Sequence, residues 1–398
     1  MSEMNIQTPH EERPLGGVSS TGFTEEQESF RETALRFAAD VLAPNSKAYA
    51  AAGGVPAEVR RQMGELGLIG MELPERFGGL GVSYVTSGVV TEAIAEGDLS
   101  TSYIQLLASL CGQIIAQHAS EDIATEILPA LCRGETTIAL ALTEPRGGSD
   151  AASLRLRATR EGDHYVLDGE KTSISMADQA DHAVVFARTG TDADRAHGIS
   201  AFLVDLRVAG VSRTRFTDLG QHAIGRGSLF FDKVAVPATH RLGAEGKGFV
   251  QVMQGFDFSR ALIGLQCLSL ARISLAETWR YVAEREAFGK PLSANQGVTF
   301  PLAEAETHVE AARLLCYRTL ALKDAHAPHT REAAMCKWLG PKLAFDVLQQ
   351  CLLLHGHSGW SVELPFEQRL RDVLGFQIGD GTAQIMKMII AREHLKAL

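Results

Sequence analysis

From Thr24 to about Gly134 the apolar residues recur at helical spacing. Phe30, Ala34, Phe37 and Val41 fall on one stripe, and Ile123, Ile127 and Leu131 on another. The glycine-dense PERFGGLG at 74–81 marks a turn between such helices. After Gly134 the period shortens to two. LRLRATREGDHYVLDGEKTSIS alternates apolar and polar positions around a central Gly-Asp, the signature of a β-hairpin. AVVFARTG, ISAFLVDL and SLFFDKVAV follow as further short strands with turn residues between them. Beyond Gly248 helical spacing returns, with long segments around 250–284, 295–324, 328–354 and 381–396. Residues 1–22 are poor in apolar side chains and rich in Gly, Ser and Glu, the composition of a tail. The pattern predicts an α+β chain in a fixed order: a tail at 1–22, an N-terminal helical domain at 23–135, a middle β-domain at 136–248, and a C-terminal helical domain at 249–398.

Composition narrows the function more than the fold. The 398 residues are 45% hydrophobic and 22% charged, ordinary for a globular chain with material for two or three domains. A net charge of −10 and the lack of any Lys/Arg run argue against a nucleic-acid or anionic-membrane surface. The six cysteines are scattered with no CxxC pair, which fits reduced thiols in a cytoplasmic protein and no zinc site. The N-terminus has neither an apolar secretory core nor an Arg-rich transit pattern, and no run of about 18 apolar residues predicts a membrane span.

Several motifs carry candidate chemistry. In QIGDGTAQIMKMIIAREHL (377–395) a lone carboxylate, Asp380, stands between Gly379 and Gly381 ahead of an apolar helix, presented rather than solvated. EPRGGSD (144–150) lacks the P-loop ending and the Rossmann spacing, and leaves two readings open: a plain turn, or amides at Gly147 and Gly148 cradling an anion or a flavin edge. GHSGW (356–360) misses the nucleophile-elbow pattern because Trp360 replaces its last glycine. His355 and His357 have no third metal ligand nearby in sequence. In REAFGKPLSANQ (285–296), Arg285 and Phe288 can share one helical face, and an arginine suits a diphosphate.

Taken together, ELGLIGMELPERFGGLG (65–81), LTEPRGGSD (142–150), RLGAEGKGF (241–249), REAFGKPLSANQ, LLHGHSGW (353–360) and DGTAQIMKMIIAREH (380–394) resemble, in order, the landmarks of the flavin-dependent acyl-CoA dehydrogenase family. The resemblance runs from about residue 24 to the end of the chain. It implies an N-terminal helical domain, a middle β-domain and a C-terminal four-helix domain, assembled as a homotetramer that binds FAD. It implies α,β-desaturation of an acyl thioester, with flavin N5 taking a hydride and an electron-transfer flavoprotein taking the electrons. By the same resemblance Leu142, Thr143, Gly148 and Ser149 match the segment lining the flavin, and Ser173 and Ser175 the neighbouring strand. Arg285, Phe288 and Gln296 match the set reaching the FAD of an adjacent subunit, Gly356 the loop approaching it, and Thr382 and Gln384 the contacts after the catalytic turn. Ser149, Asp257, Arg260 and Gly381 match positions near the thioester and its CoA arm, and Asp380 takes the place of the usual catalytic glutamate.

The departures from the family pattern are informative. Aspartate is shorter than glutamate by one C–C bond, roughly 1.5 Å. Gly379 replaces a residue that is often bulky, so a short base beside a widened pocket points to a branched or alicyclic acyl group. Ser173 stands where an aromatic residue often packs near the route to the electron acceptor, and Leu353 lies near a position that is often Gln. Gln221 and His222 break a common Gly-x-Arg pattern. Some relatives carry the base at the position of Ser259, which cannot serve. Asp257 lies about 200° around the helix from it. The alternatives are an oxidase of the nitroalkane-oxidase type, whose Arg seven residues after an aspartate base is here Lys387, and a dehydrogenase of a carrier-protein-bound thioester. A DNA-binding relative of the fold would need a basic face that a chain at −10 does not offer.

Overall fold

The computed structural model describes residues 22–396, so the tail expected over 1–22 lies, but for Gly22, outside the described residues. The first helix, α1 (Glu25–Phe37), starts where its sequence dictates. The Thr24 hydroxyl accepts from the Gln27 amide at 3.2 Å, and the Gln27 side chain accepts from the Thr24 amide at 3.0 Å. A π-turn over Ala38–Leu42, which spacing did not foretell, leads into α2 (Ser46–Ala52) and α3 (Ala57–Glu65). Then come α4 (Tyr84–Gly97), α5 (Leu99–His118) and α6 (Glu121–Cys132). Asp98 caps α5 by accepting from the Thr101 amide at 2.6 Å.

Helix α5 is buried at every residue from Leu99 to Ile115, because α4, α6 and α7 surround it and a β-strand closes its remaining side. Helices α5 and α7 (Gly248–Glu284) have the length and apolarity of a membrane span, yet 94% and 78% of those stretches lie inside the molecule. They are core helices.

The middle region is an eight-stranded sheet. Its strands are β1 (Ile138–Ala141), β2 (Arg157–Glu161), β3 (His164–Ser175), β4 (His182–Arg188), β5 (Ile199–Asp205), β6 (Val211–Arg213), β7 (Arg226–Pro237) and β8 (Arg241–Leu242). They run in the order β6-β7-β3-β2-β4-β5-β8, with β1 parallel to β4. The hairpin read from the sequence is β2–β3, turning at Gly162 and Asp163. Strand β3 slips register against β7 between Lys171 and Ile174, which leaves Ser173 in a left-handed conformation, φ +58°.

The C-terminal region begins with α7, passes a small hairpin (β9, Glu286–Ala287; β10, Lys290–Pro291) and continues in α8 (Gln296–Asp324), α9 (Thr330–Leu354), α10 (Phe366–Gly375) and α11 (Ala383–Leu395). The four long helices match the segments read from periodicity. The fifth, α10, was not foreseen: it spans ten residues and buries only Phe366, Asp372 and Val373. Helices α7 and α9 approach so closely that a Cβ at Gly340 would stand 2.8 Å from the Gly264 Cα, so only glycine fits there.

Candidate active site

A cleft of about 660 Å³ opens where the helical core, the sheet and the α10–α11 turn meet. Two helical stripes supply much of its apolar wall. Tyr103, Leu107 and Leu110 recur on one face of α5, and Phe249, Met253, Phe256 and Arg260 on one face of α7.

The opposite side is the loop after β1. Leu142, Thr143, Gly148 and Ser149 line the cleft with Ser173 and Ser175 of β3. This loop is rigid for a reason the motif alone did not give. Glu144 is buried, pairs with Lys171 Nζ at 2.7 Å, and accepts the amides of Arg155 at 2.6 Å and Leu156 at 2.9 Å. Lys171, wholly buried, also donates to the Leu142 carbonyl at 3.0 Å. Burial pulls the Lys171 pKa down to about 8, against the attraction of Glu144. The first half of EPRGGSD forms a turn. The Gly147 amide is committed to the Glu144 carbonyl in a tight turn, whereas Gly148 faces the cleft with open space where a Cβ would stand.

Asp380 lies on the cleft wall with Gly379, Gly381 and Thr382. It does not cap α11. That role falls to Thr382, whose hydroxyl accepts from the Ile385 amide at 3.4 Å. Asp380 instead holds a left-handed conformation, φ +52°, followed by Gly381 at φ +100°, a backbone path that aims its carboxylate into the cleft. Among the described residues no acceptor takes the amide N–H of Asp380 or of Gly381, so both remain available to a ligand. Burial pushes the Asp380 pKa up, and the cations of Lys337 and Arg260 oppose that rise. The Tyr103 phenol is pushed up by burial and then by Asp380, against the lowering effect of Ser175.

The residues carried over from the resemblance divide into two groups. Leu142, Thr143, Gly148, Ser149, Ser173, Ser175, Arg260, Asp380, Gly381 and Thr382 meet in this one cleft. Asp257 does not line it: its carboxylate binds Arg260 at 3.0 Å and Thr330 at 2.5 Å, so it orients the arginine from behind. Gln384 is exposed on the first turn of α11 and points away. Arg285, Phe288, Gln296 and Gly356 are also exposed and away from the cleft. Phe288, at φ +55° in the β9–β10 hairpin, presents its whole ring to the surroundings.

Some residues in or behind the cleft escaped the sequence reading. Arg226 pairs with Asp218 at 2.6 Å and donates to the Ser173 hydroxyl at 3.2 Å, standing where that serine leaves space. Lys337 lies just behind Asp380, and the lone lysine in the buried stretch AAMCKWLG was its available signal. The histidines make ordinary contacts: His355 stacks on Tyr281, tilts against Phe366 and bonds the Cys351 carbonyl, and His357 is exposed. Lys387 lies over the Trp338 ring at 4.5 Å, not in the cleft.

With that geometry in place, similarity to known proteins becomes specific. The acyl-CoA dehydrogenase N-terminal, middle and C-terminal domain profiles match residues 24–135, 139–234 and 246–395. Benzylmalonyl-CoA dehydrogenase of Aromatoleum aromaticum is 34% identical over 373 residues, 93% of this chain and 98% of that one. The chain belongs to the acyl-CoA dehydrogenase family. The short-chain specific mitochondrial acyl-CoA dehydrogenase of Rattus norvegicus is 34% identical over 382 residues, covering 95% and 92% of the two chains. The solved butyryl-CoA dehydrogenase from Megasphaera elsdenii superposes with a TM-score of 0.90 at 31% identity, over 94% and 99%. The three-part fold implied by the resemblance is therefore that of this chain, which is an FAD-dependent oxidoreductase of acyl-CoA dehydrogenase type. The cleft fits such a cofactor: it is of ligand size, with an apolar wall from α5 and α7 and the hydroxyls of Thr143, Ser149, Ser173, Ser175 and Thr382 among its polar groups.

Proposed function

We propose that the protein desaturates an acyl-CoA between its α and β carbons, with Asp380 removing the α-proton. The observation that carries this reading is the placement of Asp380: a carboxylate in a left-handed turn on the cleft wall, its proton affinity raised by burial and tempered by two cations. A base for a weakly acidic C–H needs that combination of dryness and residual charge. The Asp380 and Gly381 amides are suited to hold the thioester oxygen as charge develops on it. Ser149 and Arg260 line the path of the thioester, and Asp257 keeps the arginine in place.

Leu142, Thr143, Gly148, Ser149, Ser173, Ser175 and Thr382 would hold FAD, which supplies the hydride acceptor when bound. Arg285, Phe288, Gln296 and Gly356, exposed on each chain, would serve the cofactor of an adjacent subunit in a homotetramer, with Gln384 alongside. An electron-transfer flavoprotein is the proposed acceptor.

The acyl group is branched or alicyclic. A side chain at Gly379 would meet nothing closer than the Gly375 carbonyl at 3.8 Å, so unfilled space lies beside a short base. Anaerobic bleaching of the flavin by a panel of straight, branched and alicyclic acyl-CoAs tests this. Branched or cyclic esters should give the highest kcat/KM, and a preference for a straight chain would refute the assignment.

A further inference from the structure

Lys337 sits in the N-terminal half of α9 with 1% of its surface exposed and does not line the cleft. Its ammonium donates to the carbonyls of Phe376 at 2.5 Å and Gly381 at 3.1 Å, the two ends of the turn that carries Asp380. Among the described residues no carboxylate lies within ion-pairing distance of it. An ammonium buried without a salt bridge is costly, and a glutamine amide could donate to two carbonyls without that cost. The charge itself therefore calls for an explanation.

We propose that Lys337 is the positioning residue of the base: it pins the Phe376–Gly381 turn from behind, and its charge keeps the Asp380 carboxyl able to ionise inside the dry cleft. This inference rests on the reading of Asp380 as the base.

The groups facing this pair are few. Asp380 faces Lys337 from α9, Arg260 from α7, and Tyr103 and Cys111 from α5. Lys337 in turn faces Asp380, Cys267 and Arg260, and Arg260 also feels Arg392 on α11. Arg260 shares its charge with Asp257 at 3.0 Å. Lys337 has no such partner, so it is the less committed of the two cations. Burial pulls its pKa down to about 8, opposed by Asp380. Loss of the ammonium on deprotonation removes one of the two cations that oppose burial at Asp380, so the proton affinity of the carboxyl rises.

The test is the titration of Asp380 in ligand-free holoenzyme, read from the infrared band of the protonated carboxyl that disappears in Asp380→Asn. Lys337→Met should move the midpoint up by about one pH unit or more, and Lys337→Arg should bring it back toward wild type. An unchanged midpoint in folded Lys337→Met overturns the proposal. If that variant does not fold, the reciprocal measurement decides. The side-chain nitrogen resonance of Lys337 should titrate at lower pH in Asp380→Asn than in wild type, and an unchanged titration overturns the proposal. Retained dehydrogenase activity in Asp380→Asn would instead sink the base reading, leaving both titrations interpretable.

Discussion

At the scale of the residue, the proposed chemistry depends on one carboxylate held in a left-handed backbone region. A positive φ at a non-glycine residue is uncommon, and here it turns the Asp380 side chain toward the cleft rather than toward the helix it precedes. Flanking glycines in the sequence announced presentation, but they could not announce Lys337, 43 positions upstream in chain order and joined to the turn only by the fold. Gly379 gives a second prediction at this scale. Gly379→Tyr would fill the space beside the base, and kcat/KM for branched esters should fall while short straight-chain esters are spared. A uniform loss across the panel would argue that the position governs folding of the turn rather than substrate choice.

At the scale of the element, the buried Glu144–Lys171 pair explains why the loop after β1 can serve as a fixed wall. Removing one partner leaves an uncompensated buried charge, a change worth about 3–5 kcal/mol. Lys171→Met should therefore lower the melting temperature sharply and weaken flavin retention. A variant as stable as wild type would contradict the structural role assigned to the pair. Helix α10 contributes a pH effect. Burial raises Asp372 from 3.8 to about 6, opposed by its bond to the Gln221 amide and reinforced by Asp98. A carboxyl whose folded pKa lies above its unfolded value stabilises the fold while protonated and loses that contribution as pH rises through about 6. Asp372→Asn, which keeps an acceptor for the amide, should gain on wild type by up to roughly 3 kcal/mol between about pH 4 and pH 7. A stability difference flat in pH would refute this. The same helix shows how a short element escapes a reading by periodicity: Phe366, Leu370, Val373 and Leu374 keep helical spacing, but over only ten residues.

At the scale of the whole molecule, the order helices, strands, helices was legible because each region keeps one period for many residues. The long helices came through in the sequence, but the reason α5 is apolar all round did not. Its burial is imposed by α4, α6, α7 and the sheet, contacts that no local window contains. The site was legible in the same uneven way. Motif residues near the α10–α11 turn and the β1 loop converge on one cleft, whereas Asp257 and Gln384 do not line it. Arg285, Phe288, Gln296 and Gly356 are exposed away from it, and their proposed role is toward the cofactor of a second copy of the chain. Phe288→Ala should then reduce both assembly and flavin content while leaving the isolated fold intact by circular dichroism. A variant that remains fully assembled and fully flavinated would remove Phe288 from the cofactor set.

If Asp380 takes the α-proton, the rate of anaerobic flavin bleaching by the preferred acyl-CoA should separate wild type from Asp380→Asn. Wild type should bleach rapidly and the variant should be slower by roughly 10²–10⁴-fold, with flavin content and acyl-CoA binding retained. Bleaching at the wild-type rate in Asp380→Asn would contradict it.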